Sequence, residues 1–495
     1  MEFYSITPIL AVLVSLVAVL FIVLSSKHPN LRETWTILAA LAKFGLVASM
    51  LPSVWQGNYP AITFFNISPG ISLALKVDTL GIIFALSASA LWLLTSFYSI
   101  GYVRGASEHK QTRYFSSFAI CLSATIGIAF AANLLTLVVF YEILTIATYP
   151  LVIHKENPES IAGGRKYLVY LLSGGVMLLL ALAFTYKIGG GVDFVAGGIL
   201  SPDAAKGSII LLFSLFLLSF GVKSGIMPLH SWLPSAMVAP TPVSALLHAV
   251  AVVKAGVFGF ARAIGFIIGP QLLQRSGSAT FLGGLTAATI LIASIIALKQ
   301  DNLKKRLAYS TIGHLSYIVL GMTMLSPYAW TGSLFHIVNH ALMKITLFFC
   351  AGAIYVNTHA QNVSELNGIG RQMPLTMGAF TLASLGLAGI PPVNGFISKW
   401  YLVQGSLDTG NFIFAAILLI SGLLNAAYFL SISCRAFFMR SDRFVRYKEA
   451  SPFMVVPLML TALASLFIGL FPDKVPYFYQ MVSSVANSVL GGGGM

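Results

Sequence analysis

The chain has 495 residues, 57% hydrophobic and only 9% charged, with a mean hydropathy of +0.87 and a formal net charge of +14. Soluble domains of ordinary composition carry about 25% charged residues, so a soluble enzyme or binding module is excluded. The basic surplus would point to nucleic acid only if it gathered on one patch, and it does not.

Apolar runs long enough to cross a bilayer recur from end to end, starting with "PILAVLVSLVAVLFIVL" and closing with "MVVPLMLTALASLFIGLF". Fourteen segments are expected, at 7–25, 35–53, 79–101, 114–133, 134–153, 167–186, 208–229, 241–265, 279–298, 308–326, 329–355, 373–403, 411–434 and 453–471. The first lacks a basic leader, Glu2 being its only early charge, and no small-residue cleavage site follows it, so it counts as a span. The expected fold is an all-α polytopic membrane protein of about 14 transmembrane helices. Cys121, Cys350 and Cys434 show no paired spacing and read as buried structural thiols.

Connections after odd-numbered segments hold 18 of the 29 basic residues, from Lys27 to Lys448. Connections after even segments, with the tail, hold only Lys76, Lys187, Lys206, Arg275 and Lys474. Cytoplasmic loops collect Lys and Arg, so odd connections face the cytoplasm and both termini face outward. The location implied is the cell (inner) membrane, with no nucleic-acid partner.

Six basic residues remain at membrane depth: Lys43, Lys223, Lys254, Arg262, Lys344 and Lys399. Of the acidic residues only Glu142 lies mid-span, with Asp78 at a helix end. An ionisable group there costs at least about 2.5 kcal/mol, faces the protein interior or a hydrated cavity, and is a functional candidate. Lys43 and Arg262 also fit snorkelling or packing roles. "SLFHIVNHALMKITLFF" places His336, His340 and Lys344 at i, i+4 and i+8, one stripe of a helix. A metal site, satisfied structural histidines and a proton relay all suit such a stripe. The lysine, a donor without an acceptor, and the lack of a nearby carboxylate favour the relay. Histidine titrates near neutrality, and a buried lysine releases its proton more readily than one in water.

Pro228 follows Lys223 in the seventh segment, and Pro391 and Pro392 precede Lys399 in the twelfth. Proline removes a backbone donor and clashes with the preceding turn, so both helices should break. Broken backbone at that depth survives only inside protein or along a watery cavity. The offset of five segments between the breaks implies two inverted five-helix repeats, helices 4–8 and 9–13. The corresponding divisions are 1–105 (helices 1–3), 113–268, 279–438, and 439–495 (helix 14 and tail).

The stretches "FYEI", "MPLHSWLPSAMVAPTPVSALLHAVAVVKAG", "KQDNLKKRLAYSTIGHLSYIVLG", "HIVNHALMKITLFF" and "GIPPVNGFISKW" resemble the antiporter-like subunits of respiratory complex I, Mrp-type multisubunit cation/proton antiporters and membrane-bound hydrogenases. The resemblance covers roughly 75–435 and also implies inverted five-helix repeats. It implies proton-transfer roles for Glu142, Lys223, His248, Lys254, His336, His340, Lys344 and Lys399, with a lysine at the last position where only some members have one. The chain ends about where the common fold ends, which makes the D-type Mrp subunit the leading match.

The expected function is a proton relay within a multisubunit complex, with monovalent cation (Na+)/proton antiport leading. Glu142 is expected to pair with Lys223, and the proton to pass through Lys254 and His248 and the His336/His340/Lys344 stripe to Lys399. The alternatives are a proton-pumping subunit of a complex I-like or hydrogenase-type oxidoreductase, an energising subunit for inorganic-carbon uptake, a stand-alone secondary transporter, and a membrane adaptor. Expected partners are other membrane subunits, protons, Na+ and the lipid bilayer. No cofactor, metal, redox or hydrolytic site is expected: "GGGVDFVAGG" and the terminal "GGGGM" lack the strand and helix context of a phosphate loop.

Overall fold

The computed structural model describes residues 1–475 and 477–491, so all of "GGGGM" after Gly491 lies outside the described residues. A short strand β1 (Glu2–Tyr4) leads into helices α1 (Thr7–Leu24) and α2 (Pro29–Ser49). Strands β2 (Tyr59–Ser68) and β3 (Ile71–Lys76) follow as an antiparallel hairpin, with β1 added parallel to β2. The all-α expectation missed this small sheet, although the Pro69–Gly70 dipeptide is a turn signal. Gly70, at φ +75°, supplies the left-handed residue the turn requires.

The helices then run α3 (Thr79–Gly105), α4 (Gln111–Ala129), α5 (Leu134–Val152), α6 (Pro158–Gly189) and α7 (Lys206–Ser224). After these come α8 (Thr241–Ile268), α9 (Ser278–Lys299), α10 (Leu303–Thr323) and α11 (Pro327–Thr358). The last are α12 (Pro374–Ala388), α13 (Gly395–Asp408), α14 (Phe412–Phe438), α15 (Pro452–Leu470) and α16 (Phe478–Leu490). Among the described residues, 11 helices are long and apolar enough to cross a membrane. The expected segments 114–133, 308–326 and 373–403 are helical as α4, α10 and the α12/α13 pair, but length and hydropathy do not establish them as spans. The count of fourteen is therefore not fixed by these criteria.

Two helices form the centre. The apolar window of α8 is completely buried and that of α11 is 94% buried, against 33% for α1 and α15. These are the helices that carry Lys254, His336, His340 and Lys344. Lys254, His336 and Lys344 find protein partners there, while side chains such as Leu24 and Leu423 elsewhere point outward. The tail 439–495 holds more than one helix: α16 buries Met481, Val482, Val485, Ala486 and Val489, one stripe of an amphipathic helix, against α11 and α3.

Both proline breaks are present. α7 stops at Ser224 and Gly225 turns left-handed, with helix resuming only briefly at Trp232–Ser235. α12 stops at Ala388, Gly389 turns left-handed, and α13 resumes at Gly395. Each break exposes C-terminal carbonyls, and each finds a donor. Trp232 Nε1 donates to Val222 O at 2.7 Å, and Lys399 Nζ donates to Leu387 O at 2.6 Å and Ala388 O at 3.1 Å. Cys434 departs from expectation: it sits on the outer side of α14 and is exposed, while Cys121 and Cys350 are buried, and all three are free thiols.

Candidate functional site

The helix breaks and the two central helices place the expected residues in one interior. Lys223, in the last turn of α7, is 1% exposed; its ammonium donates to Tyr141 O at 2.7 Å and lies 3.2 Å from the centroid of the Tyr141 ring. Glu142 is the next residue along α5, yet no ion pair joins it to Lys223 among the described residues. Its Oε1 is buried without a hydrogen-bond partner and faces Gly175 of α6. The expected pair thus makes no salt bridge in this conformation, although the two charges still act on each other. The backbone carbonyl and ring of the intervening residue hold the lysine instead.

On α8, Lys254 Nζ lies 3.1 Å from His340 Nδ1. The ammonium is the donor, so His340 carries its own hydrogen on Nε2, which has no partner. The His340 ring lies 5.3 Å, centroid to centroid, from that of His314 of α10, tilted at 38°. His314 Nδ1 is 3.0 Å from His336 Nε2, and His336 Nδ1 is 2.8 Å from Ser398 Oγ on α13. At the other end of the row, His314 Nε2 is 3.3 Å from Asn425 Oδ1 on α14. With that oxygen as acceptor, His314 donates to Asn425 and His336 to His314, which leaves His336 Nδ1 to accept from the Ser398 hydroxyl, whose other acceptor is Gly395 O at 3.1 Å. The row ends next to Lys399, whose ammonium lies 5.2 Å from the Tyr317 ring. The carbonyls that hold Lys399 are the negative end of the α12 dipole, a favourable seat for a cation.

The His336/His340/Lys344 stripe divides. His336 and His340 join the row, whereas Lys344 donates to Leu307 O at 3.1 Å and faces the Phe429 ring. His248 stands apart from Lys254. It lies in a π-helical turn, Leu246–Val250, with both ring nitrogens unpartnered and its ring 5.0 Å from Phe348. Of the two residues set aside, Arg262 makes a bidentate ion pair with Asp78, at 2.5 and 2.8 Å, while Lys43 is fully buried beside Trp92 without a hydrogen bond.

Sequence reasoning missed His314, Ser398 and Asn425. A histidine carries no formal charge at neutral pH, so His314 in "STIGHLSYIVLG" does not stand out among its apolar neighbours as a buried lysine does. Sequence reasoning also missed the amide pair tying α11 to the second break, Asn339 Nδ2 to Asn394 O at 2.9 Å and Asn394 Nδ2 to Asn339 Oδ1 at 3.1 Å.

A polytopic helical bundle with two broken helices flanking a buried row of lysines and histidines defines a class of membrane-embedded ion-handling proteins. Residues 131–425 match the transmembrane family described as NADH:quinone oxidoreductase/Mrp antiporter, and the chain belongs to that family. It is 32% identical over 413 residues to NADH-quinone oxidoreductase subunit N of Desulforudis audaxviator (strain MP104C), covering 78% of this chain and 81% of that one. It is also 32% identical over 349 residues to hydrogenase-4 component B of Escherichia coli (strain K12), covering 67% of this chain but only 51% of the relative. In fold it matches a chain of the membrane-bound sulfane sulfur reductase, an archaeal respiratory membrane complex (TM-score 0.88, 23% identity, 98% of each chain). It also matches a chain of the Mrp complex from Dietzia sp. DQ12-45-1b (TM-score 0.83, 19% identity, 98% of each chain).

Proposed function

We propose that this chain relays protons through the membrane interior as an antiporter-like subunit of a multisubunit complex. Monovalent cation (Na+)/proton antiport is the leading activity, in a D-type Mrp-like role. The observation that carries the reading is the buried row Lys254–His340–His314–His336–Ser398, which reaches Lys399 at the second break. Each imidazole can accept a proton on one nitrogen and release one from the other, so a proton arriving at His314 is passed on by reversing the His314–His336–Ser398 hydrogen bonds, while His340 reaches His314 only when its ring rotates to bring the unpartnered Nε2 within reach. Lys223 feeds the row from the first break: when Glu142 swings toward it the charged lysine is favoured, and when Glu142 rests against Gly175 release is favoured. The role of His248 in this scheme is to sample protonation from the π-helical turn of α8, since π-bulges often occur at functional sites.

The remaining features of the proposal are fourteen spans, inverted repeats over 113–268 and 279–438, and both termini outside the cell membrane. The driving event and the other membrane subunits lie in other chains. A second reading, a proton-pumping subunit of an oxidoreductase, is favoured by the relative named subunit N, of which this chain covers 81%.

Lysine-to-arginine exchange separates relay from fixed charge, because guanidinium stays protonated at every accessible pH. Lys223→Arg and Lys399→Arg should leave the complex assembled but reduce proton transport at least about tenfold, a barrier increase of about 1.4 kcal/mol. Glu142→Gln should do the same, while Glu142→Asp keeps partial activity. Wild-type transport by an assembled Lys399→Arg complex would remove Lys399 from the relay.

A further inference from the structure

We infer that Glu108, His109 and His154 form a binding site for a divalent transition-metal ion of the zinc type, outside the membrane interior. The three residues come from two connections, α3–α4 and α5–α6, and each offers one ligand atom within 4.8 Å of the other two. His154 is the decisive member. Its side chain is fully buried, and neither ring nitrogen completes a hydrogen bond, although the backbone of His109 comes close. His154 Nε2 faces Glu108 Oε2 at 3.7 Å, too far for a hydrogen bond. The rings of His109 and His154 lie 5.0 Å apart at 30°.

A buried imidazole with two idle nitrogens beside a carboxylate and a second imidazole is costly unless something else satisfies it. A zinc ion held at about 2.0–2.1 Å by each ligand sets neighbouring ligand atoms about 3.4 Å apart in a tetrahedron. The Glu108–His154 separation is already close to that spacing, and the exposed His109 ring is free to draw in. Imidazole and carboxylate donors suit zinc better than calcium or magnesium, and three protein ligands leave the fourth position to water.

The surroundings allow a cation. Arg113 on α4 and Lys110 just before it are both paired with Glu156, Lys110 at 2.7 and 2.8 Å, and Arg113 also donates to His154 O at 3.1 Å, while Lys155 acts on Glu108 from the same connection as His154. Lys304 is held by Ala239 O at 2.6 Å. The site depends on no part of the relay and would bridge two connections at the same end of the bundle.

The test is zinc binding to the purified full-length chain in nanodiscs, with Zn2+ alone as probe. Equilibrium dialysis should give one zinc removed by His109→Gln and by Glu108→Gln, each weakening binding at least about tenfold, and unaffected by His28→Gln. His109 is exposed, so its replacement keeps the fold, and X-ray absorption on the wild type should report two imidazole nitrogens. If the wild type takes up no zinc at micromolar concentration, or if His109→Gln and Glu108→Gln bind as the wild type does, the site is refuted. The assay reads binding rather than transport, so its failure leaves the relay untouched, and failure of the relay leaves the site untouched.

Discussion

At the scale of single residues, the position of Glu142 depends on one missing methyl group. A Cβ on Gly175 would stand 2.2 Å from Glu142 Oε1 and 2.5 Å from its Cδ, so only glycine leaves room for the carboxylate there. Gly175 lies inside α6, where alanine is the better helix former by about 0.8–1.0 kcal/mol, and the clashing atoms are the far end of a flexible side chain. Gly175→Ala should therefore keep or raise thermal stability while displacing the carboxylate, and proton transport should fall several-fold in the assembled complex. Unchanged transport would show that the resting place of Glu142 does not matter. The sequence made Glu142, Lys223 and Lys399 legible because a formal charge among apolar residues cannot be hidden. It could not show that Lys223 rests on Tyr141 O, since that contact joins residues 82 apart and depends on how α5 packs against α7.

Among the elements, the second break is built from close backbone approach. A Cβ on Gly395 would lie 1.9 Å from Gly386 O, a backbone atom that cannot swing aside, and 3.0 Å from Met343 Sδ. Gly395→Ala should push α13 away from α12 and carry Ser398 and Lys399 off the histidine row. Gly378→Ala, where nothing lies within 4 Å, is the matched control. We expect the first substitution to abolish transport or assembly and the second to be silent. Equal behaviour of the two would mean the break has slack. Proline and glycine punctuation made both breaks readable in advance. The β-hairpin is legible only in its Pro69–Gly70 turn, because a 10-residue strand is too short to stand out among apolar runs of membrane length. The π-helical turn around His248 was not readable, since no residue type in "LLHAV" demands five-residue spacing.

For the whole molecule, the ion pairs sort the connections by end. Arg104 pairs with Glu33, and Lys110 and Arg113 with Glu156, all in or beside connections after odd segments. Glu2 pairs with Lys76 at 2.7 Å, joining the N-terminal strand to the connection after the second segment. These pairings are those the charge count expects, and the basic end should be cytoplasmic. The measurement is labelling by a membrane-impermeant thiol reagent in intact cells and in inverted vesicles. Cys434 is exposed and must first be replaced by serine. On that background Glu159→Cys and Asp442→Cys should react only in inverted vesicles, and Asn66→Cys and Asp203→Cys only in intact cells. All four positions are solvent-exposed surface sites, so lack of reaction reports sidedness rather than burial. The reversed pattern would invert the molecule and place β2 and β3 inside. The proposed zinc site at Glu108, His109 and His154 would then face outward, and protons would enter the row from the opposite side. A mixed pattern, with Glu159 and Asp442 on different sides, would break the alternation of helices itself and with it the inverted repeats, because both positions follow odd-numbered segments separated by eight spans.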